Sequence, residues 1–146
     1  MPIENPTTTI QIVRRFDAPS ERVFDAWLDP ELAGKWLFAT PGGEMLSVEI
    51  DPRVGGGFTI IERRGDEDVA HYGRYLELDR PRRLTFDFGD EIVEKATIVT
   101  VDIASIGAGC ELTLTHEGVY LEFADRTKDG WTTLLAGLAQ VLSETA

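Results

Sequence analysis

The C-terminal segment from Asp125 to Ala146 constrains the fold more than any other part of the sequence. At 100° per residue its apolar side chains fall on one stripe and its polar ones on the opposite side, which predicts an amphipathic helix. Thr127 is the polar member of this stripe, and Gly130 and Gly137 on its edge indicate a close approach by another backbone. Such a helix needs a large apolar surface to cover. The stripe consists of Trp131, Leu134, Leu135, Leu138, Val141 and Leu142.

The upstream sequence predicts that surface as an antiparallel sheet. A first strand at Thr7–Phe16 is followed by two short helices, with Ser20 as the expected N-cap of the first and Asp29-Pro30 separating them. From Glu44 onward apolar and polar residues alternate with period two, and the connections have hairpin length. Tyr75 has the opposite parity to its apolar neighbours. The apolar positions are Leu46, Val48, Ile50, Phe58, Ile60, Tyr72, Leu76, Leu78, Leu84, Phe86, Phe88, Val99, Val101, Ile103, Leu112, Leu114 and His116.

These elements predict an α+β fold, in which a curved sheet of about seven strands carries a long C-terminal helix across its concave face. The 146 residues are expected to form a single domain, since no repeat, linker or low-complexity run divides residues 1–146. The two short helices follow the first strand and are too short to be stable alone, so they must pack on the rest of the domain.

Charge and cysteine content limit the partners and the compartment. A net charge of −12 argues against nucleic acids and anionic membrane surfaces as partners. No signal peptide or membrane-spanning run is visible. The single cysteine, Cys110, is typical of a reducing compartment, so we expect a cytoplasmic protein that is a monomer or a weak homodimer.

Few residues suggest chemistry. His71 and His116, the two histidines, have no second ligand at metal spacing, and the glycine-rich run Arg53–Gly57 joins two strands instead of opening a helix. No hydrolase elbow is present, and neither a cofactor nor a metal is predicted. His71 is expected to be exposed near a hairpin end. His116 alternates in step with the apolar residues Leu112 and Leu114 of its strand. It is interpreted first as a hydrogen-bonded core histidine and second as a polar contact inside a cavity.

Aromatic residues on facing elements point to a ligand site. A sheet curled around one helix tends to leave volume between them, and apolar cavities with few polar groups bind small molecules. No catalytic residue is predicted. The predicted cavity lining consists of Trp36, Phe38, Phe58, Ile60, Tyr72, Phe86, Phe88, Val99, Leu114, His116, Thr127, Trp131, Leu134, Leu135 and Leu138.

An ordered set of short motifs covers nearly the whole chain. They are FDAP from Phe16, VFDAW from Val23, DPRVGG from Asp51, GRYLELDRPRRLTF from Gly73 and LTLTHEG from Leu112. Trp36 and Gly130-Trp131 complete the set. In this order the motifs resemble the homologues of the activator of the 90-kDa heat-shock protein ATPase, in the START-related (SRPBCC) helix-grip superfamily.

The resemblance implies a deep cavity between the sheet and the last helix, but not one activity. The favoured function is therefore binding of a small, largely apolar molecule. One alternative is a cyclase- or hydrolase-like enzyme that uses His116 and Tyr72; another is a module that modulates a chaperone ATPase, a partner for which the sequence gives no support. Members of the family often carry His at the position of Thr127 and Asp at that of Ala136. The first departure removes a titratable group from the centre of the helix's inner face.

Overall fold

A computed structural model describes residues 6–40, 42–90 and 97–144, without the side chains of residues 88–90. A 3-10 turn, Leu121–Phe123, joins the last strand to the last helix. Within the described ranges, no helix is long and apolar enough to cross a membrane. The elements in chain order are β1 (Thr7–Phe16), α1 (Ser20–Leu28), α2 (Pro30–Trp36), β2 (Glu44–Ile50), β3 (Gly57–Arg64), β4 (Glu67–Asp79), β5 (Arg83–Asp90), β6 (Thr97–Ile106), β7 (Gly109–Tyr120) and α3 (Ala124–Glu144).

The seven strands form one antiparallel sheet in the order β1-β7-β6-β5-β4-β3-β2. Strands β2 to β7 follow one another as a meander, and β1 returns to pair with β7. The sheet is curved, and three helices accompany it, including the long C-terminal one. The predicted α+β helix-grip architecture is therefore confirmed.

The two short helices form where the sequence placed them, but their caps differ in one respect. The Asp29 side chain accepts a hydrogen bond from the Glu31 backbone N–H, as a capping residue should. Ser20 is not the N-cap of α1: Pro19 holds that position, and the Ser20 hydroxyl lies 2.6 Å from the Ser105 hydroxyl. The prediction of a Ser20 cap was wrong because a partner on β6 takes its side chain.

A bulge in β4 overturns the predicted faces of that strand. Tyr75 pairs with Phe86 and Glu77 with Thr85, so Leu76 is an extra residue in β4. Tyr75 is buried, whereas Tyr72 is 41% exposed and Leu76 is 43% exposed. The inward positions predicted for Tyr72 and Leu76 were wrong because alternation requires an unbroken strand, whereas Leu78, beyond the bulge, packs against the core as predicted.

A second irregularity, in β2, has the same effect on a smaller scale. The register between β2 and β3 shifts between Met45 and Ser47, which leaves Leu46 41% exposed. Val48 and Ile50 lie beyond the shift and pack against the core as predicted. The inward position predicted for Leu46 was therefore wrong.

Helix α3 buries most of the predicted stripe and packs mainly against α2 and β1. Trp131, Leu135 and Leu138 are almost fully buried. A Cβ atom at Gly130 would meet nothing within 4 Å, so the predicted backbone approach there was wrong. At Gly137 the nearest atom is the Trp36 Cβ, at 3.6 Å from the added methyl, which is an ordinary contact.

Candidate functional site

The space between the sheet and α3 contains a continuous group of five aromatic side chains, which we call the aromatic band. Its members are contributed by α1, the α2–β2 loop, β3, β5 and α3. Neighbouring ring centroids lie 5.3–6.2 Å apart, the range of tilted and edge-on aromatic contacts. The aromatic band consists of Trp27, Phe38, Phe58, Phe86 and Trp131.

His116 lies at one end of the aromatic band and is only 2% exposed. The Trp131 indole N–H donates to His116 Nδ1 over 3.0 Å, so Nδ1 is an acceptor and the imidazole hydrogen is on Nε2. That Nε2–H donates to the Thr97 hydroxyl oxygen over 2.6 Å. The strand register explains the geometry, because His116 faces Val99 on β6, two residues from Thr97.

Burial decides the charge of this histidine. Desolvation lowers the pKa of His116 from 6.5 to about 4, so the ring is neutral at pH 7. Both ring nitrogens are also engaged with protein groups. The interpretation of His116 as a hydrogen-bonded core histidine therefore fits the structure better than that of a free polar group inside a cavity.

His71 lies at the other end of the aromatic band. It faces Ile60 across the β3–β4 pair and is buried, so the expectation of an exposed residue was wrong. Its ring stacks on Phe38 with centroids 4.4 Å apart and planes 3° apart. The same bulge that exposes Tyr72 explains the error, because it places the odd-numbered residues His71 and Tyr75 on the interior face.

Phe38 itself has an unusual backbone. Its φ of +59° is the only positive φ of a non-glycine residue in the part of the chain that the structure describes. For a residue with a bulky side chain this conformation costs roughly 1–2 kcal/mol. It persists only where surrounding contacts determine it, and such residues cluster at binding and switch sites.

A buried carboxylate holds the segment that contains Phe38. Glu62, on β3, is 1% exposed and accepts from the Thr40 backbone N–H over 2.7 Å and from the Thr40 hydroxyl over 3.1 Å. Arg64 donates to the same carboxylate and also to the Phe38 carbonyl over 3.2 Å. We call Thr40, Glu62 and Arg64 the Glu62 network. A buried charge is tolerated only when it is paired in this way.

The structure brings most of the predicted lining together, because these residues lie in or against one core. Thr127 and Leu134 are half-buried, whereas Tyr72 lies on the exposed face and is not part of it. The Phe88 side chain falls outside the described residues. The lining residues that are buried are Trp36, Phe38, Phe58, Ile60, Phe86, Val99, Leu114, His116, Trp131, Leu135 and Leu138.

Sequence reasoning missed several residues of this site. Glu62 continues the inward parity of Phe58 and Ile60, so a carboxylate on an apolar parity was a usable signal. Trp27 belongs to the aromatic band, and Tyr75 is buried against the Phe58 ring of that band. Burial raises the pKa of the Tyr75 phenol above its usual range. Thr97 carried no signal, because a threonine near a strand end is usually exposed.

Two open grooves on the surface lie away from this interior. One, of about 510 Å³, is lined by residues that include Ser20, Arg82, Asp102 and Ser105. The other, of about 460 Å³, lies beside Phe24, Leu28 and Arg80. Neither is lined by His116 or by a residue of α3.

The described residues contain no cluster of three or more His, Cys, Asp or Glu side chains that could hold a metal ion. The interior is apolar apart from the groups described above. Among the described residues, hydrogen-bonding groups lie at the two ends of this interior, His116 with Thr97 at one and the Glu62 network at the other.

The fold and sequence together identify the family. Residues 17–143 match the family model described as activator of Hsp90 ATPase homolog 1-like protein, so the chain belongs to this family. Its SRPBCC-like fold commonly binds ligands. No curated protein matches the sequence at a significant level.

Solved structures agree with this assignment. Protein CV1439 from Chromobacterium violaceum is 30% identical, with a TM-score of 0.83 over 91% of this chain and 95% of that one. CalU16 from Micromonospora echinospora is 26% identical, with a TM-score of 0.73 over 94% of this chain and 77% of that one. SA2116 from Staphylococcus aureus, a protein of unknown function, has a TM-score of 0.88 at 16% identity over 97% of both chains, and so it supports the fold alone.

Proposed function

We propose that the protein binds a small, largely apolar molecule between the sheet and α3. The observation that carries the proposal is the aromatic band itself, an apolar interior closed at its ends by two buried histidines. Pockets for small organic ligands have this composition, with mostly aromatic and aliphatic walls and few polar groups. Family membership adds support, because ligand binding is common in this fold.

The state of His116 favours binding over proton transfer at this end of the site. A general base needs a pKa near the working pH and a nitrogen within reach of the substrate. The pKa of His116 is about 4, and its two nitrogens already contact Trp131 and Thr97. Tyr72, the other polar group named for the enzyme alternative, is on the outer face of the sheet.

A second candidate, an enzyme, rests on the opposite end of the aromatic band. His71 and Glu62 are both buried on the interior face of the β3–β4 pair, where Ile60 pairs with His71 and Glu62 with Val69. A histidine and a carboxylate on one face are a common acid–base combination. Against this candidate, the Glu62 carboxylate is already bonded to Thr40 and Arg64. His71→Gln should abolish any turnover that this pair supports and leave simple ligand binding within about tenfold.

Native mass spectrometry of freshly purified protein tests the binding proposal. A small organic molecule should accompany the folded protein and be lost when the protein is denatured. Its position can be found by its effect on tryptophan emission, since all three tryptophans, Trp27, Trp36 and Trp131, are buried around the interior. Re-adding the extracted molecule to stripped protein should change that emission in a saturable way.

Two outcomes would contradict the proposal. One is protein that carries no organic molecule and whose tryptophan emission is unchanged by a panel of small apolar compounds. The other is a bound molecule that perturbs only NMR signals of the surface grooves, such as those of Ser105 or Leu28, and none from Leu114, Leu135 or Leu138.

We further propose a cytoplasmic, monomeric or weakly dimeric protein with one domain. The lone cysteine, Cys110, is buried and unpaired, which suits a reducing compartment. Fractionation of cells and light scattering of the purified protein test these statements. Modulation of a chaperone would require a docking surface on the outside of the fold, and a pull-down with the intact chain would detect it.

A further inference from the structure

The strained residue Phe38 occupies a well-defined space, which we call the Phe38 slot. The slot is bounded by His71, Phe58 and Trp131, whose ring centroids lie 4.4, 5.9 and 5.7 Å from that of Phe38. One wall is flat, because the His71 and Phe38 rings are parallel to within 3°. Phe38 is 5% exposed there.

The ring reaches the slot from a loop and not from the sheet or a long helix. Phe38 follows the short helix α2 directly after Leu37, and the next strand begins only at Glu44. Polar contacts hold its backbone: Arg64 donates to the Phe38 carbonyl, and Glu62 accepts from Thr40 two residues later. The loop is thus attached to β3 by hydrogen bonds of its backbone and Thr40, and the side chains of Leu37 and Phe38 are both buried in the core.

We propose that the Phe38 ring is a removable plug and that a planar aromatic ring of the ligand takes its place in the slot. The inference rests on the binding function proposed above and names the ligand class for it. The positive φ favours exchange, because a side chain held in a disfavoured backbone conformation loses less when it leaves. The loop can return to an ordinary conformation once the ring is outside.

The walls select an aromatic ring over an aliphatic one of equal volume. Parallel stacking at 4.4 Å on His71 fits a flat ring, whereas a puckered ring is thicker and has no π-face. Phe58 and Trp131 present their rings at 25° and 58° to Phe38, as in offset and tilted aromatic contacts. The ligand is therefore expected to be an uncharged molecule with at least one benzene-sized ring.

Phe38→Ala tests the plug, with phenol and cyclohexanol as matched probes in calorimetric or NMR titrations. Phenol should bind this variant at least tenfold more tightly than it binds the wild type, whereas the affinity for cyclohexanol should rise less than threefold. Phe16→Ala is the control for a cavity made anywhere in the core, because Phe16 is also 5% exposed but has no positive φ. Phenol should bind the Phe38 variant at least tenfold more tightly than the control.

The inference would be overturned if phenol gained as much affinity from Phe16→Ala as from Phe38→Ala. It would also be overturned if Phe38→Ala raised the affinities for phenol and cyclohexanol equally. Phe38→Gly is the second variant, since glycine adopts a φ of +59° without strain and so preserves the loop if alanine disturbs it. In the wild type, saturating phenol should shift the NMR signals of Thr40, Arg64 and the His71 ring together. Absence of those shifts while phenol binds elsewhere would also exclude the plug.

The experiment separates this inference from the binding function. If the wild type binds an apolar molecule in the interior but the Phe38 variants gain nothing for phenol, the plug is wrong and the binding function stands. If neither the wild type nor any variant binds an apolar compound in the interior, both are wrong.

Discussion

Among single residues, His116 illustrates how burial decides whether a histidine can take part in acid–base chemistry. Its pKa is about 4 in the folded protein, and an unfolded histidine has a pKa of about 6.5. Between these values the unfolded chain binds more protons, so protonation favours unfolding. The loss of folding stability caused by His116 is absent above pH 6.5, grows as the pH falls and is complete below pH 4.

This linkage predicts a pH-dependent difference between wild type and His116→Gln. From about pH 7.5 to about pH 5 the wild type should lose about 2 kcal/mol more stability than the variant, because glutamine does not titrate. Urea unfolding at both pH values measures this difference, in which the contributions of the carboxylates cancel. Glutamine can accept from Trp131 and donate to Thr97, so at pH 7.5 the variant should stay within about 2 kcal/mol of the wild type. Parallel pH profiles would show that His116 titrates normally in the folded state.

Glu62 gives a second prediction at the scale of the residue. Glu62→Gln keeps the size of the side chain but removes the charge that Arg64 and Thr40 contact, and it should cost about 2–3 kcal/mol of unfolding free energy. Asp68→Asn is the matched control, because Asp68 pairs with Arg63 where both side chains are half exposed. Such pairs contribute less than about 1 kcal/mol.

Chemical denaturation of the two variants compares them directly. If Glu62→Gln lowers the free energy of unfolding no more than Asp68→Asn does, the Glu62 network does not hold the loop. The variant should also raise hydrogen exchange at the Thr40 amide, whose acceptor is Glu62 Oε2.

At the scale of elements, periodicity predicted the number, order and type of the helices and strands, but not the register shifts in β2, in β4 and in the β1–β7 pair. Alternation was correct in β1, where Ile10 and Phe16 are buried and Val13 is 55% exposed. It was wrong for Tyr72 because the Leu76 bulge separates two stretches of opposite parity. A bulge needs only one extra residue, and no residue type marks Leu76 as that one. Such local choices are fixed by pairing with the neighbouring strand.

Two glycines in different elements predict opposite effects of the same substitution. Gly130, on α3, has open space where an added methyl group would lie, so Gly130→Ala should stabilise the protein by about 0.5–1 kcal/mol through helix propensity. At Gly73, on β4, an added methyl group would overlap with the Asp87 carbonyl oxygen and with the Phe58 ring. Gly73→Ala should destabilise by at least about 2 kcal/mol.

Thermal unfolding of both variants is sufficient to check this pair of predictions. A destabilised Gly130→Ala would mean that α3 packs more closely at that point than the structure has it. A neutral Gly73→Ala would mean that both the Phe58 ring and the Asp87 backbone can move aside, and the walls of the Phe38 slot would then not be rigid.

For the whole molecule, the sequence predicted which residues are buried in the interior better than it predicted which of them are in contact. The stripe of α3 and the aromatic residues of the sheet were identifiable because burial of apolar faces follows from periodicity. The polar ends of the site depend on contacts between different elements, 15 residues apart for Trp131 and His116 and 22 residues apart for Thr40 and Glu62. Only the folded chain shows that these side chains meet. Phe38 is the clearest case, since nothing in its sequence neighbourhood announces a positive φ.

The same interior predicts energetic coupling between the loop and the last helix. Phe38 and Trp131 are in contact, with ring centroids 5.7 Å apart, and join the α2–β2 loop to α3. In a double-mutant cycle, the effects of Phe38→Leu and Trp131→Leu on the free energy of unfolding should therefore differ from additivity by about 0.5–3 kcal/mol.

Phe16→Leu combined with Trp131→Leu is the control cycle. Phe16 pairs with Cys110 on β7, whereas Trp131 contacts His116, six residues further along that strand or roughly 20 Å away. The control pair should be additive within about 0.5 kcal/mol. Equal coupling in both cycles would mean that the leucine variants loosen the whole core. Additivity in both would mean that the Phe38 ring contributes nothing to the docking of α3, and a ligand ring that replaced it would then leave the helix unaffected.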